Sequence, residues 1–262
     1  MHTNTKNQIQ SYLARIGFQG ELDGSAKTLA DLQERHLYTV PYENLDILAH
    51  KPLSLDPQDL YQKIVIQQRG GYCFELNALF GWLLRELGYK VTDFVARFWR
   101  DTADLPPKRR HHVLKVEAEG VNYLCDVGVG GMVPLRAVAF IEGLEQQQGD
   151  ECYKLEKDSD YGWSLCEHKN NGWHRIYTFT EERQLPKDYL FASFWCEQAP
   201  DSIFNKYPIV AKRTPEGRLT VANQEFRIFN AEGVSTFTPQ SPEAFDAALL
   251  SYFGINLRKV IG

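Results

Sequence analysis

Apolar positions in the first third of the chain recur with a helical period. Ile9, Tyr12, Leu13 and Ile16 fall three or four residues apart across Asn7–Ile16, and Gly17 follows as a stop. Leu29 and Leu32 share one side of a second helix expected over Ser25–His36. Asp56-Pro57 opens a third over 56–67, because proline suits a first helical turn whose N–H has no partner. The widest stripe belongs to Tyr72–Leu87. Leu76, Leu79, Phe80, Leu83, Leu84 and Leu87 cover one side, and Gly88 stands where a C-terminal cap belongs.

Beyond Gly88 the period changes to short β-branched and aromatic runs: Val91–Trp99, His112–Glu117, Asn122–Val127, Cys152–Lys157, Gly162–Glu167 and Trp173–Thr180. Asn170-Asn171-Gly172 reads as a hairpin turn between the last two. This series predicts an antiparallel barrel or sandwich. After Pro186, strands over Arg218–Ala222 and Glu225–Phe229 precede a helix over Pro242–Tyr252 that ends at Gly254. The expected architecture is α+β: a helical bundle over 1–88, a central antiparallel β-barrel over 89–188 and a smaller αβ lid over 189–262.

Composition narrows the class. With 262 residues, 43% of them apolar, the chain can bury a sizeable core, which excludes disorder and collagen-like repetition. Net charge is 29 − 34 = −5, against a general nucleic-acid binder. The first ten residues lack a signal-peptide core, and the densest apolar stretch, Ala78–Leu84, is far short of the roughly 20 residues of a membrane span. A cytoplasmic protein without membrane or nucleic-acid partners is expected. The five cysteines, at 73, 125, 152, 166 and 196, include no CxxC pair, so no metal site is expected.

The candidate chemistry begins at Arg69-Gly70-Gly71-Tyr72-Cys73-Phe74-Glu75. Two glycines allow a tight turn with positive φ, and a long helix starts directly afterwards. Cys73 then sits in a first helical turn, where free N–H groups favour an anion and should lower a thiol pKa. A buried structural cysteine fits the position equally well. A thiolate nucleophile needs a base and a group that orients the base. His111 and His112 head one expected strand, and Asp126 ends the next. If Glu119-Gly120 is a two-residue hairpin loop, paired residues sum to 239. Val113 then faces Asp126, so His111 shares that face and His112 points away. Lys108-Arg109-Arg110 is a basic loop suited to phosphates or to plain solvation, and Gly128-Val129-Gly130-Gly131 does not match a dinucleotide fingerprint.

Three blocks together resemble the arylamine N-acetyltransferase family. Val40-Pro41-Tyr42-Glu43-Asn44-Leu45 is similar to its V-P-[FY]-E-N-L segment, and residues 69–77 to its R-G-G-x-C-x-E-x-N block. His111–Val116 followed by Asp126-Val127-Gly128-Val129-Gly130-Gly131 resembles its histidine strand and D-x-G-x-G loop. The resemblance implies Cys73 as the acetylated nucleophile, His111 and Asp126 as its partners, and a cysteine-protease-like Cys-His-Asp core. It implies acetyl-CoA as co-substrate, an arylamine, hydrazine or N-hydroxyarylamine as acceptor, and the bundle, barrel and lid order above. Lys108, Arg109, Val129, Gly130 and Trp195 are the expected substrate or CoA contacts. Val129 stands where the family often has phenylalanine, and Ser193-Phe194-Trp195-Cys196 matches the lid motif only loosely. Other readings of the same residues are a Cys-His-Asp hydrolase or transglutaminase-like enzyme, an acyl-amide synthase, and a silent scaffold.

Overall fold

A computed structural model describes residues 3–99, 106–169 and 171–257. Helices α1 (Thr3–Arg15) and α2 (Ala26–Thr39) lead to strand β1 (Tyr42–Glu43) and the short helices α3 (Leu45–Leu48) and α4 (Pro57–Tyr61). A π-helical turn at Gln62–Ile66 follows directly on α4, and α5 spans Cys73–Glu86. The expected helix over 56–67 is therefore present but loosened in its second half. The first helix begins at Thr3, before its apolar stripe does.

The stripe of α5 is the centre of the core. Leu76, Leu79, Phe80, Leu83 and Leu84 are fully buried and belong to one apolar cluster with Phe94, Val113 and Leu114 of the strands. Burial of each such side chain contributes about 1.5–3 kcal/mol.

Strands β2 (Lys90–Phe98), β3 (Arg109–Ala118), β4 (Val121–Cys125), β5 (Val138–Ala139), β6 (Gln146–Gln148), β7 (Glu151–Asp158), β8 (Gly162–Lys169) and β9 (Gly172–Phe179) form one antiparallel sheet. Its order is β5-β4-β3-β2-β9-β8-β7-β6. The sheet curls into a nearly closed barrel, and side chains bridge the seam between its edges. The Gln146 amide donates to the Ala139 carbonyl at 3.1 Å and accepts from the Ala139 N–H at 2.7 Å. Gln148 does the same with Arg136, at 3.0 and 2.8 Å. Each amide supplies the donor and acceptor that a neighbouring strand would. The first residue of the expected Asn170-Asn171-Gly172 turn lies outside the described residues.

A second sheet combines both ends of the chain. After α6 (Tyr189–Gln198), strands β10 (Ile209–Thr214), β11 (Gly217–Ala222), β12 (Glu225–Asn230) and β13 (Gly233–Phe237) precede α7 (Pro242–Phe253). Their order is β1-β10-β11-β12-β13, so Tyr42 and Glu43 extend the C-terminal sheet. Val210, Val221 and Phe226 pack against Leu249 and Phe253 of α7. The other face of this sheet looks onto the cavity described next.

Candidate active site

The segment before α5 is fixed by close backbone contact. Glu43 N–H donates to the Gly71 carbonyl at 2.8 Å. A Cβ on Gly70 would lie 2.1 Å from the Pro41 oxygen, so only glycine fits there. Neither Gly70 nor Gly71 has positive φ, contrary to the sequence expectation; the glycines serve close approach. Glu75, three residues into the helix, accepts the Tyr72 N–H at 3.0 Å and closes the N-terminus.

Charged residues of two motif blocks, together with Asp46 and Lys63, lock this start in place. Arg69 bonds Glu43 at 2.6 Å and Asp46 at 3.1 Å, and Lys63 bonds Asp46 and Glu75 at 2.7 Å each. Burial opposes the Lys63 charge, but Glu75, Glu43 and Asp46 outweigh it and hold the ammonium above its ordinary range. Removing one member would strand a buried charge, which costs about 3–5 kcal/mol. The adjacent Asn44 reaches the segment between α6 and β10. It donates to the Phe204 and Tyr207 carbonyls at 2.8 and 2.9 Å and accepts the Ile209 N–H at 2.8 Å.

The histidine and aspartate come from one hairpin. Glu117 pairs with Asn122 and Ala118 with Val121, the register that a Glu119-Gly120 loop dictates. Both loop residues have positive φ, as a type I′ turn demands. Glu119 is an unexpected residue there; its carboxylate accepts the first N–H of α2 at 2.9 Å. This register carries His111 Nε2 to 2.7 Å from Asp126 Oδ2, with both side chains buried. His112 turns the other way, bonds Asp93 at 3.0 Å and lies 4.2 Å from the Tyr189 ring, tilted by 31°.

Asp126 is held by more than the histidine. Asn77 Nδ2 and the Gly128 N–H each donate to its Oδ1 at 2.8 Å, and Asn77 Nδ2 also reaches the His112 carbonyl. Gln33, fully buried, accepts the Asp126 N–H. Asn77 stands four residues after Cys73, on the same face of α5. In the sequence it appeared only as the last residue of the 69–77 block, with no role given to it, and Gln33 carried no signal at all.

Cys73 and His111 open into one cavity of about 270 Å³, shared with Phe98, Arg110, Val129 and Phe204. Burial pushes the Cys73 thiol well above the ordinary thiol range, and Cys196 adds to the rise. The His112 backbone N–H and Arg110 pull the other way. The expectation of a lowered pKa counted the helix terminus and left out desolvation, which is the larger effect for a side chain only 4% exposed.

The expected substrate or CoA contacts separate into three groups. Val129 lines the thiol cavity. Gly130 does not: its φ is +70°, and a Cβ would meet the Ala211 oxygen at 2.6 Å, so it turns the loop against β10. Lys108, Arg109 and Trp195 line an outer groove with Phe191, and Arg110 lies in both groove and cavity. Lys108 sits 4.4 Å over the Trp195 ring and pairs with Asp201, while Arg109 pairs with Glu182. The far wall of the cavity, from β11 and β12, was not identified from the sequence. No cluster of three metal-ligating side chains occurs among the described residues, nor any helix long and apolar enough to cross a membrane.

A sequence model of the family described as N-acetyltransferase matches residues 25–261. The chain is 32% identical over 251 residues to an arylamine N-acetyltransferase of Escherichia coli, covering 95% of this chain and 89% of the relative. It is 31% identical over 255 residues to a Salmonella typhimurium protein described as an arylamine N-acetyltransferase and N-hydroxyarylamine O-acetyltransferase, covering 96% and 90%. The structure of the Mycobacterium marinum arylamine N-acetyltransferase in complex with CoA superposes with a TM-score of 0.89 at 31% identity, covering 96% of this chain and 94% of that one.

Proposed function

Because the chain belongs to the arylamine N-acetyltransferase family, and is thus an acyltransferase, we propose that it moves an acetyl group from acetyl-CoA to an aromatic amine or hydrazine through acetyl-Cys73. The observation that carries this reading is a buried His111–Asp126 pair opening, together with Cys73, into one cavity.

Asp126 engages His111 Nε2, which leaves Nδ1 as the basic nitrogen. Nδ1 takes the thiol proton as Cys73 sulfur attacks the thioester carbonyl. The backbone N–H of Cys73, with no intrahelical partner at the first helical position, donates to the developing oxyanion. The tetrahedral adduct expels CoA sulfur, which receives the proton from His111. The amine then attacks the acetyl carbon and His111 accepts its proton. Cys73 leaves as thiolate and is reprotonated. Acid–base help of this kind is worth about 10²–10⁴-fold, and Asp126 keeps the imidazole oriented and stabilises its cation. N-hydroxyarylamines would be acetylated on oxygen by the same acetyl-cysteine. On the donor side, Lys108, Arg109 and Trp195 in the outer groove suit the nucleotide end of CoA, with Arg110 beside the path to the thiol.

Incubation with acetyl-CoA alone should add one acetyl group to Cys73, read by peptide mass, and release one equivalent of CoA thiol. Subsequent aniline should remove the acetyl group as the amide. Absence of acetyl-Cys73, with hydrolysis of a peptide or glutamine amide instead, would overturn the reading.

A further inference from the structure

The thiol cavity has an uneven charge inventory for a chain of net charge −5. Arg110, Arg218 and Arg227 line it, and among the described residues no aspartate or glutamate does. Arg227 is exposed and pairs with Glu225. Arg110 and Arg218 form no ion pair among the described residues. Each lies over a ring instead, Arg110 5.3 Å from the Phe204 centroid and Arg218 4.2 Å from that of Phe229.

Strand alternation explains how Arg218 reaches the cavity. Arg218 and Thr220 share one face of β11, and register sets Phe229 and Arg227 opposite them on β12. The intervening Leu219, with Phe226 of β12, packs toward α7. The stem of Arg218 rests on the loop that follows Asp126, since a Cβ on Gly131 would lie 3.0 Å from Arg218 Cδ. The same loop touches the nucleophile at its other end, where a Cβ on Gly128 would lie 2.9 Å from Cys73 Cα. Three residues of backbone span at most about 11 Å. Arg218 and Cys73 thus line the same cavity and are linked through one short loop.

We propose that Arg218 binds the acid group of an anionic aromatic amine, with the carboxylate on Arg218 and the amine directed at acetyl-Cys73. This deepens the transferase reading above and rests on it. A guanidinium already held on a ring face presents a bidentate fork that matches a carboxylate. Thr220 adds a hydroxyl beside it, while Phe98, Met132 and Ile209 give the aromatic ring apolar walls. The competing source of negative charge is the phosphates of CoA. For those, Lys108 and Arg109 already line the outer groove.

The test compares the wild-type protein with Arg218→Met, which keeps an apolar stem over Gly131 and Phe229. Calorimetric titration with 4-aminobenzoate reads binding without turnover. Wild type is expected to bind the acid at least tenfold more tightly than its methyl ester, and Arg218→Met should erase that preference. Single-turnover transfer from pre-acetylated enzyme should show the acid-over-ester ratio falling about 10- to 100-fold in the variant, the effect of losing a charge-assisted hydrogen bond. Equal loss for acid and ester would mean a merely structural arginine and overturn the proposal. So would loss confined to CoA release in the donor half-reaction, which assigns the guanidinium to phosphate. If no acetyl-Cys73 forms in either protein, the transferase reading fails, while the titration still decides whether the site prefers the acid.

Discussion

The two walls of the cavity are built differently. The thiol wall joins the start of α5, the β3–β4 hairpin and the loop over 126–131, and its polar groups are paired deep in the protein. Asp126 alone takes bonds from His111, Asn77 and Gly128. The facing wall is one side of the β10–β13 sheet, held from behind by apolar packing on α7 and tied to the motif blocks by Asn44. A reacting group needs position to a fraction of an ångström, which satisfied buried hydrogen bonds supply. A wall that selects needs only to present different side chains at alternate strand positions. On this reading, substitutions in the first wall act on rate with every acceptor, and those in the second act on which acceptor is used.

The most severe way to break that comparison is at the hairpin. His111→Ala should lower kcat/KM about 10³–10⁴-fold with neutral and anionic amines alike. His112→Ala should cost less than tenfold in kcat/KM, because His112 engages Asp93 and Tyr189 instead of Asp126. Comparable losses in the two variants would mean that strand parity does not decide the base.

These two walls were also unequally legible in the sequence. The hairpin could be read because two positive-φ residues at Glu119-Gly120 fix a register, and a register fixes every side chain's face. The α5 start was visible through its glycines and the stripe behind it, although the expected lowering of the thiol pKa left out burial, which is not a local property of sequence. The facing wall escaped because its use of Arg218 depends on a contact with Gly131, 87 residues away. Helix α6 was hidden for a different reason. Its sequence is apolar on nearly every side, with Phe191 85% exposed and Phe194 67% exposed, so no stripe marks its period. Strand β10 gave no clear alternation because both of its faces are partly covered.

A smaller perturbation strikes the thiol wall without touching a reacting group. In Gly128→Ala the new methyl would meet Asn77 Nδ2 at 2.5 Å and Cys73 Cα at 2.9 Å, so the loop or the helix must shift. The expected result is a loss of about 100-fold in kcat with every amine, and near-native circular dichroism. A change in acceptor ratio instead would blur the distinction between the walls. On the other side, Asn44→Ala removes three bonds, to Phe204, Tyr207 and Ile209, and should destabilise the fold by about 2 kcal/mol. Its signature is faster amide exchange over 204–211, with KM rising more than kcat falls.

The mildest effect probes the layer beneath the thiol wall. His36 is fully buried between Tyr12 and Phe80, its Nδ1 shares a hydrogen bond with the Tyr12 hydroxyl at 2.9 Å, and its Nε2 has no partner among the described residues. Burial, with Arg15 adding to it, lowers its pKa from 6.5 to about 3. The folded protein thus keeps this imidazole neutral, while the unfolded chain takes up a proton as pH falls below 6.5. The stabilising contribution is complete above that pH and is lost as pH falls toward 3. Between pH 7 and pH 5.5 the loss amounts to about 1 kcal/mol. His36→Asn keeps an acceptor for Tyr12 and cannot titrate, so its urea midpoint should change less over this interval than that of the wild type. Equal changes in the two proteins would show that the acid sensitivity lies elsewhere, and that the helical layer supporting Cys73 is no more pH-dependent than the sheet facing it.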